Sequence, residues 1–417
     1  MKIAIVGTGI SGLTAAYVLH REHDLHVFEA NNYIGGHTNT ILVKEGNKEI
    51  PVDTGFIVFN KKNYPNLCRL FDVLNIESRK SDMSFSVHCE KTSLEYNGSD
   101  INRVFSQRRN ILNLEFWRML KDIMRFNDES PVLLRNGIDD KITVAEFAKQ
   151  NKYSEKFIEY YLIPLGASLW SSPAGHFRSF PIKFVLEFLA NHCMLQVNDR
   201  PQWRTVIGGS CQYVEPLTKG YSEKIHLNKS VVSVTRKNNQ VELMLSSGIT
   251  ELFDEVILAT HADTSRHLVK NIEPEENNML EIFKYQYNEA ILHTDTCILP
   301  DNKRAWASWN YRIPATEKDY ASVSYNMNML QGIESEKVYN VSLNQSERID
   351  QDKIIRRIHY YHPIFQPGRD LVQSQHEKLI RRRGISYCGA YWGYGFHEDG
   401  VRSALAVCAS YDQTLTV

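Results

Sequence analysis

Residues 2–22 read KIAIVGTGISGLTAAYVLHRE, and this stretch limits the fold more tightly than any other. KIAIV (2–6) is a short apolar run rich in branched side chains that ends on glycine, the pattern of a strand buried on both faces. LTAAYVLHRE (13–22) has the spacing of a helix with small residues toward a sheet, and LHVFEA (25–30) reads as a second strand. Between the first strand and the helix, Gly7, Gly9 and Gly12 stand in GxGxxG spacing. Gly7 allows the tight turn, Gly9 lets the main chain approach a pyrophosphate, and Gly12 lets helix and strand pack closely. The helix start then offers free N–H groups and a positive dipole end to phosphate. Glu29 follows about 20 residues after Gly9, where a carboxylate accepts hydrogen bonds from a ribose diol and repels a 2′-phosphate. The glycines alone would fit a turn without a ligand; the order strand, turn, helix, strand, acid favours a dinucleotide.

The next residues separate the candidate dinucleotides. EANNYIGGHTNT (29–40) places a second glycine pair, Gly35 and Gly36, just after the acid, and VDTGFIVF follows at 52–59. A simple NAD-binding fold has no use for that pair. The spacing E-A-x4-G-G followed by DTGF resembles the flavin-containing amine oxidoreductase superfamily, which includes amine oxidases, phytoene-type desaturases and protoporphyrinogen oxidase. The resemblance implies non-covalent FAD. Its diphosphate and ribityl chain would be wrapped by the glycine pair, and its ring would be passed by the DTGF segment. By that resemblance Gly7, Gly9, Ser11, Gly12, Glu29, Ala30, Gly36, Thr54, Gly55 and Phe56 are expected cofactor contacts. Position 37 departs from it: many members carry arginine there, whereas His37 can hydrogen-bond a phosphate or hydroxyl without a permanent charge.

The implied fold class is α/β, a discontinuous Rossmann-like FAD-binding domain with an inserted mixed α+β substrate domain. Residues 1–75, 201–265 and 375–417 are assigned to the first and 76–200 and 266–374 to the second. TVIGGSCQYVEPLTKGY (205–221), the strands predicted over 224–260 and DEVILAT (254–260) look like the family's second cofactor segment, in which Val232 would meet the adenine through its backbone. Residues 76–200 read as helical and aromatic-rich, with one helix ending near Pro164 and Gly166. Residues 266–370 alternate aromatic and polar side chains as half-buried strands do. No second GxGxxG follows a strand, so electrons are expected from an organic substrate rather than from NAD(P)H.

Near the C-terminus GAYWGYGFHEDGVRSAL (389–405) interleaves glycines and rings. In the family the matching block ends at a helix start facing the flavin, which implies roles for Asp399, Gly400 and Val401; Glu398 or Asp399 could stand in for an acid that the family places where this chain has Ala390. Trp170, Tyr391, Trp392 and His397 are the cavity candidates, each weighed against plain core packing. The chemistry is expected from the flavin itself, and no protein group is assigned as catalytic. Together with IGGHTNT, VDTGFIVFN, PLGASLWSSP and RPQWRTVIGGSCQYV, this block is similar to bacterial flavoproteins that resemble the N-terminal domain of plant cyclopropane fatty acid synthases. That narrower resemblance implies oxidation or desaturation of a methylated or cyclopropane-related acyl chain. An amine oxidase and a non-catalytic flavoprotein partner of a lipid methyltransferase are the alternatives.

Charge helps only by exclusion. With 48 Lys and Arg against 49 Asp and Glu, the net charge of −1 draws the chain toward neither nucleic acid nor anionic lipid as a whole. The seven cysteines form no CxxC, so neither a disulfide framework nor a metal site is suggested, and a cytoplasmic location is expected. RRNILNLEFWRMLKDIMR (108–125) resembles a basic amphipathic helix that could make a peripheral contact with the inner face of a membrane; an ordinary surface helix is the alternative.

Overall fold

In the computed structural model, residues 1–170, 172–196, 200–316, 318, 320–366 and 368–415 are described. Five parallel strands make the central sheet, in the order Ile225–His226, Asp24–Phe28, Lys2–Val6, Glu255–Leu258, Ile385–Tyr387. Lys2–Val6 lies in the middle, and its side chains alternate between two cores. Ile3 and Ile5 pack with the helices Ile10–Leu19, Pro65–Val73 and His397–Ala409, while Ala4 and Val6 pack with the antiparallel sheet of 231–253 and the helices Ala262–Leu268 and Pro274–Glu281. Three separate parts of the chain therefore build one sheet, as a discontinuous dinucleotide-binding fold requires.

A second, seven-stranded sheet runs Ile354–Ile364, Lys284–His293, Asn340–Leu343, Val323–Asn326, Trp309–Ile313, Phe85–Cys89, Leu94–Asn97. Only the contact between Trp309–Ile313 and Phe85–Cys89 is parallel, because those strands come from separate parts of the chain. The helices Leu114–Asn136, Val144–Gln150, Ile163–Trp170 and Ile182–Asn191 share an aromatic core with this sheet. A small sheet, Phe59–Asn60, Trp203–Val206 and Ser78–Lys80, lies where the chain passes between the two large sheets.

The structure corrects four expectations. Residues 78–97 are strands, not the start of a helical region; a tight hairpin, Phe85–Cys89 with Leu94–Asn97, is too short to show against the long helical pattern that follows. The helix expected to end near Pro164 continues to Trp170. A π-helical turn over Ile158–Leu162 precedes the proline and offers one way around its missing N–H, and Gly166 leaves space for Phe177, whose ring atoms would lie 2.0 Å from an added Cβ. Residues 108–125 are not one helix: Arg108–Leu112 forms a 3-10 turn, and the α-helix begins at Leu114, with Asn113 accepting N–H bonds from Glu115 and Phe116. Finally, the hairpin Thr40–Glu45 with Lys48–Asp53 buries Val43, Ile50 and Val52 against the seven-stranded sheet, although its place in the sequence belongs with the first domain.

Candidate flavin site

The glycine turn has the form its spacing implies. Gly7 adopts φ +102 and donates to the Phe28 carbonyl at 2.8 Å; a Cβ there would lie 2.9 Å from the Ala259 carbonyl oxygen. A Cβ on Gly12 would fall 2.0 Å from the Gly7 oxygen. Gly9 differs: with φ −64 it is the N-cap of Ile10–Leu19, and an added Cβ would meet nothing within 4 Å among the described residues. That open face is where the backbone can approach an anion. Gly36, at φ +61, closes the other side, with an added Cβ 3.2 Å from the Gly9 Cα.

Glu29 is buried beside this turn. One carboxylate oxygen accepts from the Thr8 N–H (2.9 Å) and hydroxyl (2.6 Å), the other from the Asn31 N–H (2.9 Å) and side-chain amide (2.8 Å). A carboxylate has about four acceptor positions, so a ribose diol bonding to Glu29 must replace the Thr8 hydroxyl or the Asn31 amide. Ala30 is exposed next to it. Val232 lies in Val231–Lys237 where the register skips between Val231 and Ser233, a bulge that leaves a residue unpaired and its peptide groups available, as an adenine contact needs.

Residues 37–39 and 54–56 run side by side. Phe56 N–H donates to the His37 carbonyl (2.7 Å), Thr54 N–H to Asn39 (2.9 Å), and a Cβ on Gly55 would lie 2.2 Å from the His37 oxygen. The Phe56 ring stacks on His397 with centroids 3.8 Å apart. His397 Nε2 is within hydrogen-bond distance of the Thr38 hydroxyl (3.2 Å) and the Tyr213 hydroxyl (3.1 Å), and those two hydroxyls also bond each other. His37 stacks on Tyr360 at 4.6 Å, and His261 and His362 lie 6.1 and 5.9 Å from it. All four histidines are deep in the molecule yet remain partly accessible, so they are not sealed in a core. Burial pushes His37 and His261 down to about 4 and His362 and His397 down to about 3, which makes them neutral imidazoles at neutral pH.

The C-terminal block divides. Tyr391 and Trp392 are 3% and 5% exposed and pack with Phe283, and Trp392 stacks on His376 at 4.2 Å. They belong to a core, which corrects their placement as cavity wall. Trp170 is likewise enclosed, by Phe177, Phe180, Phe184, Phe188 and Phe365. Of the four cavity candidates, His397 alone is partly accessible beside the flavin segments. The helix His397–Ala409 starts three residues earlier than the pattern suggested. Gly400 N–H donates to the Phe396 carbonyl, so it is not free for a flavin oxygen, and Val401 is fully buried inside the helix. Gly400 instead serves packing. A Cβ there would lie 2.8 Å from Ile10 Cγ2 and 2.9 Å from Ser11 Oγ, so its absence lets the two helices cross. The two acids are engaged as well. Glu398 accepts from the N–H groups of Asn66 (3.2 Å) and Leu67 (2.9 Å) and caps Pro65–Val73, while Asp399 accepts from Phe396 N–H (3.1 Å) and pairs with Arg402 (2.8 Å). Cys388 is buried and its thiol is held far above the usual range, first by burial, which suits packing and not covalent attachment.

Thr8, Asn31, Thr38, Tyr213, His261, Tyr360 and His362 were not foreseen. His261 alone had a signal, since it directly follows DEVILAT, whose strand Glu255–Leu258 lies beside Lys2–Val6, and ligands bind beyond the carboxyl ends of such strands.

An open helix N-terminus beside a GxGxxG turn, a buried acid after the second strand, a second glycine pair and a cluster of partly accessible rings and histidines are the marks of a flavin-dependent oxidoreductase of two-sheet design. The comparisons agree. The model of the family described as flavin containing amine oxidoreductase matches residues 10–351, and the chain belongs to that family. It is similar to an L-amino-acid oxidase of Mus musculus, 22% identical over 276 residues, covering 62% of this chain and 41% of that protein, so it spans less than half of that relative's length. In structure it resembles putrescine oxidase bound to putrescine (TM-score 0.69, 15% identity, 99% of both chains). It also resembles a CLA-producing fatty acid isomerase from P. acnes (TM-score 0.67, 14% identity, 98% of both chains). FAD is the cofactor of the class, and the residues above fit it: Gly9 leaves the helix start open, Gly36 closes over it, and Val232 presents a bulged backbone.

Proposed function

We propose that this FAD-dependent oxidoreductase takes two hydrogens from a lipid acyl chain, oxidising or desaturating it. When bound, FAD supplies the two-electron acceptor. The observation that supports the lipid is the character of the helical part of the second domain. Its aromatic core around Trp170 and Phe188 continues through Tyr394 and Phe396 to the helix that carries His397. At its outer surface Ile101, Leu112 and Leu114 are 80%, 88% and 84% exposed, with Arg103, Arg108, Arg109 and Arg118 nearby in sequence. Exposed apolar side chains among cations suit peripheral contact with an anionic bilayer, the place where acyl chains are found. Neutral His397 on Phe56 keeps that end of the cleft uncharged, as an apolar substrate requires. An amine would call for a free carboxylate or a cage of rings facing the flavin, and the two acids nearest His397, Glu398 and Asp399, are both committed to helix starts.

Anaerobic reduction of the bound flavin tests the proposal. Dispersed phospholipid should bleach it, while an amine panel, NADH and NADPH leave it yellow. Bleaching by amines alone moves the assignment to amine oxidation. Bleaching by neither favours a non-catalytic partner of a lipid methyltransferase. Separately, Leu112→Glu with Leu114→Glu should abolish co-sedimentation with anionic vesicles and leave flavin content intact; unchanged sedimentation removes the membrane contact.

A further inference from the structure

We infer that His37 and His261 form a titratable seat for the cofactor's diphosphate, so that binding FAD draws a proton into the protein. The two side chains spring from segments that touch the glycine turn at different points. Gly36, one residue before His37, rests on Gly9; Ala259 and Thr260, just before His261, rest on Gly7. The imidazole centroids are 6.1 Å apart, and both residues are partly accessible. A diphosphate at this turn thus comes within reach of both.

The charge balance of the cleft calls for such a seat. A diphosphate diester brings two negative charges, and the start of Ile10–Leu19 offers N–H groups and about half a positive charge. The groups acting directly on the pair are neutral imidazoles, while charged groups stand one layer out: Arg369 and Asp263 beyond Tyr285, Asp53 beyond Tyr360, and Glu29 on Thr8 of the turn. His261 is the one acting on His37, His362 acts on His261, and His37 acts on both His362 and His397. Tyr360, stacked on His37, is held near 12, and Tyr285, stacked on His261 at 4.4 Å, is raised further by burial. Arg369 lies behind Tyr285 and spends one guanidinium nitrogen on the carbonyls of Tyr391 and Gly393. Its other two guanidinium nitrogens are buried without a partner, and no lysine or arginine hydrogen bond or ion pair is recorded to His37, His261 or residues 7–9 among the described residues. A dianion placed there favours the charged form of a neighbouring imidazole and raises its pKa. The protein carries its positive charge only when the ligand is present, whereas an arginine at position 37 would be permanently charged.

The sign of the linkage follows. FAD-bound protein holds more protons than flavin-free protein, so affinity is highest at low pH and falls as pH rises through the pKa of the bound pair, by up to about tenfold per unit for one proton. The test is calorimetric titration of full-length, flavin-stripped protein with FAD between about pH 5.5 and 8.5, each pH in two buffers of different ionisation heat. Net uptake of a fraction to one proton per FAD is expected, with Kd rising over the same interval. His37→Arg should bind FAD with less uptake and a flatter Kd profile, and His37→Asn and His261→Asn should each reduce uptake. Zero uptake by the unsubstituted protein throughout that range overturns the inference, whether or not the variants fold. Uptake unchanged in both asparagine variants overturns it as well.

Discussion

Two helices cross where Gly400 meets Ser11, and their N-termini are built in opposite ways. Ile10–Leu19 begins at a glycine, has no side-chain cap and no acid in its first turn. His397–Ala409 begins with two acids, one closing its own start and the other capping Pro65–Val73. The first keeps its positive end for a ligand; the second uses its own to hold the protein together. A helix dipole aimed at a cofactor cannot be inferred from a helix start alone, because caps decide whether the N–H groups are free.

The sharpest way to break this comparison uses three glycines. Gly12→Ala should cost about 3 kcal/mol or more, since its Cβ overlaps the Gly7 oxygen; little soluble protein is expected, and normal yield with bound flavin would contradict the packing. Gly9→Ala should fold with an unchanged melting temperature and yet lose flavin, read from visible absorbance after gel filtration, because its Cβ meets no described residue and would enter the space expected for the diphosphate. Gly400→Ala should lower stability by about 1 to 3 kcal/mol through the helix crossing, with flavin lost only in step with unfolding. If Gly400→Ala lost flavin at full stability, the second helix would also be a ligand seat.

A smaller effect sharpens the role of the capped helix. Burial raises the Asp399 carboxyl from 3.8 to about 6, against the pull of Arg402 and the Phe396 N–H, and burial raises Asp53 to about 6 in the same way. In the unfolded chain these groups lose their protons first as pH rises. Each therefore favours the folded form at the acid end and withdraws that support between about pH 4 and 6, by about 3 kcal/mol at most for a shift of this size. Asp399→Asn should flatten the stability profile across that window by one group's share, measured as melting temperature against pH. An unchanged slope would mean that Asp399 does not titrate there.

The first 56 residues were legible because glycine spacing reports backbone geometry directly: Gly7, Gly12 and Gly36 each sit where a turn or close approach requires them, and Gly9 leaves the helix start uncovered. The interior histidines were not. His37, His261, His362 and His397 come together from four segments, and a single imidazole has no period to reveal it. Tyr391 and Trp392 misled for a related reason, since rings beside glycines look alike whether they wall a cleft or fill a core; what separates them from Tyr394 and Phe396 is the Phe283 ring, which comes from another segment of the chain. The Pro164 boundary failed because a π-helical turn sits just before the proline.

The crossing at Gly400 also sets a timetable for synthesis. Ile10–Leu19 is apolar nearly all round and buried nearly throughout, yet the helix that covers it is made on the order of 400 residues later, about 20 to 80 s at ordinary elongation rates. Over that interval the flavin seat lacks the helix that braces it, and an apolar helix lacks one of the partners that cover it. A stop anywhere before residue 397 leaves the first helix without that partner, so a chain cut there should expose the Ile10 and Leu13 face of the helix.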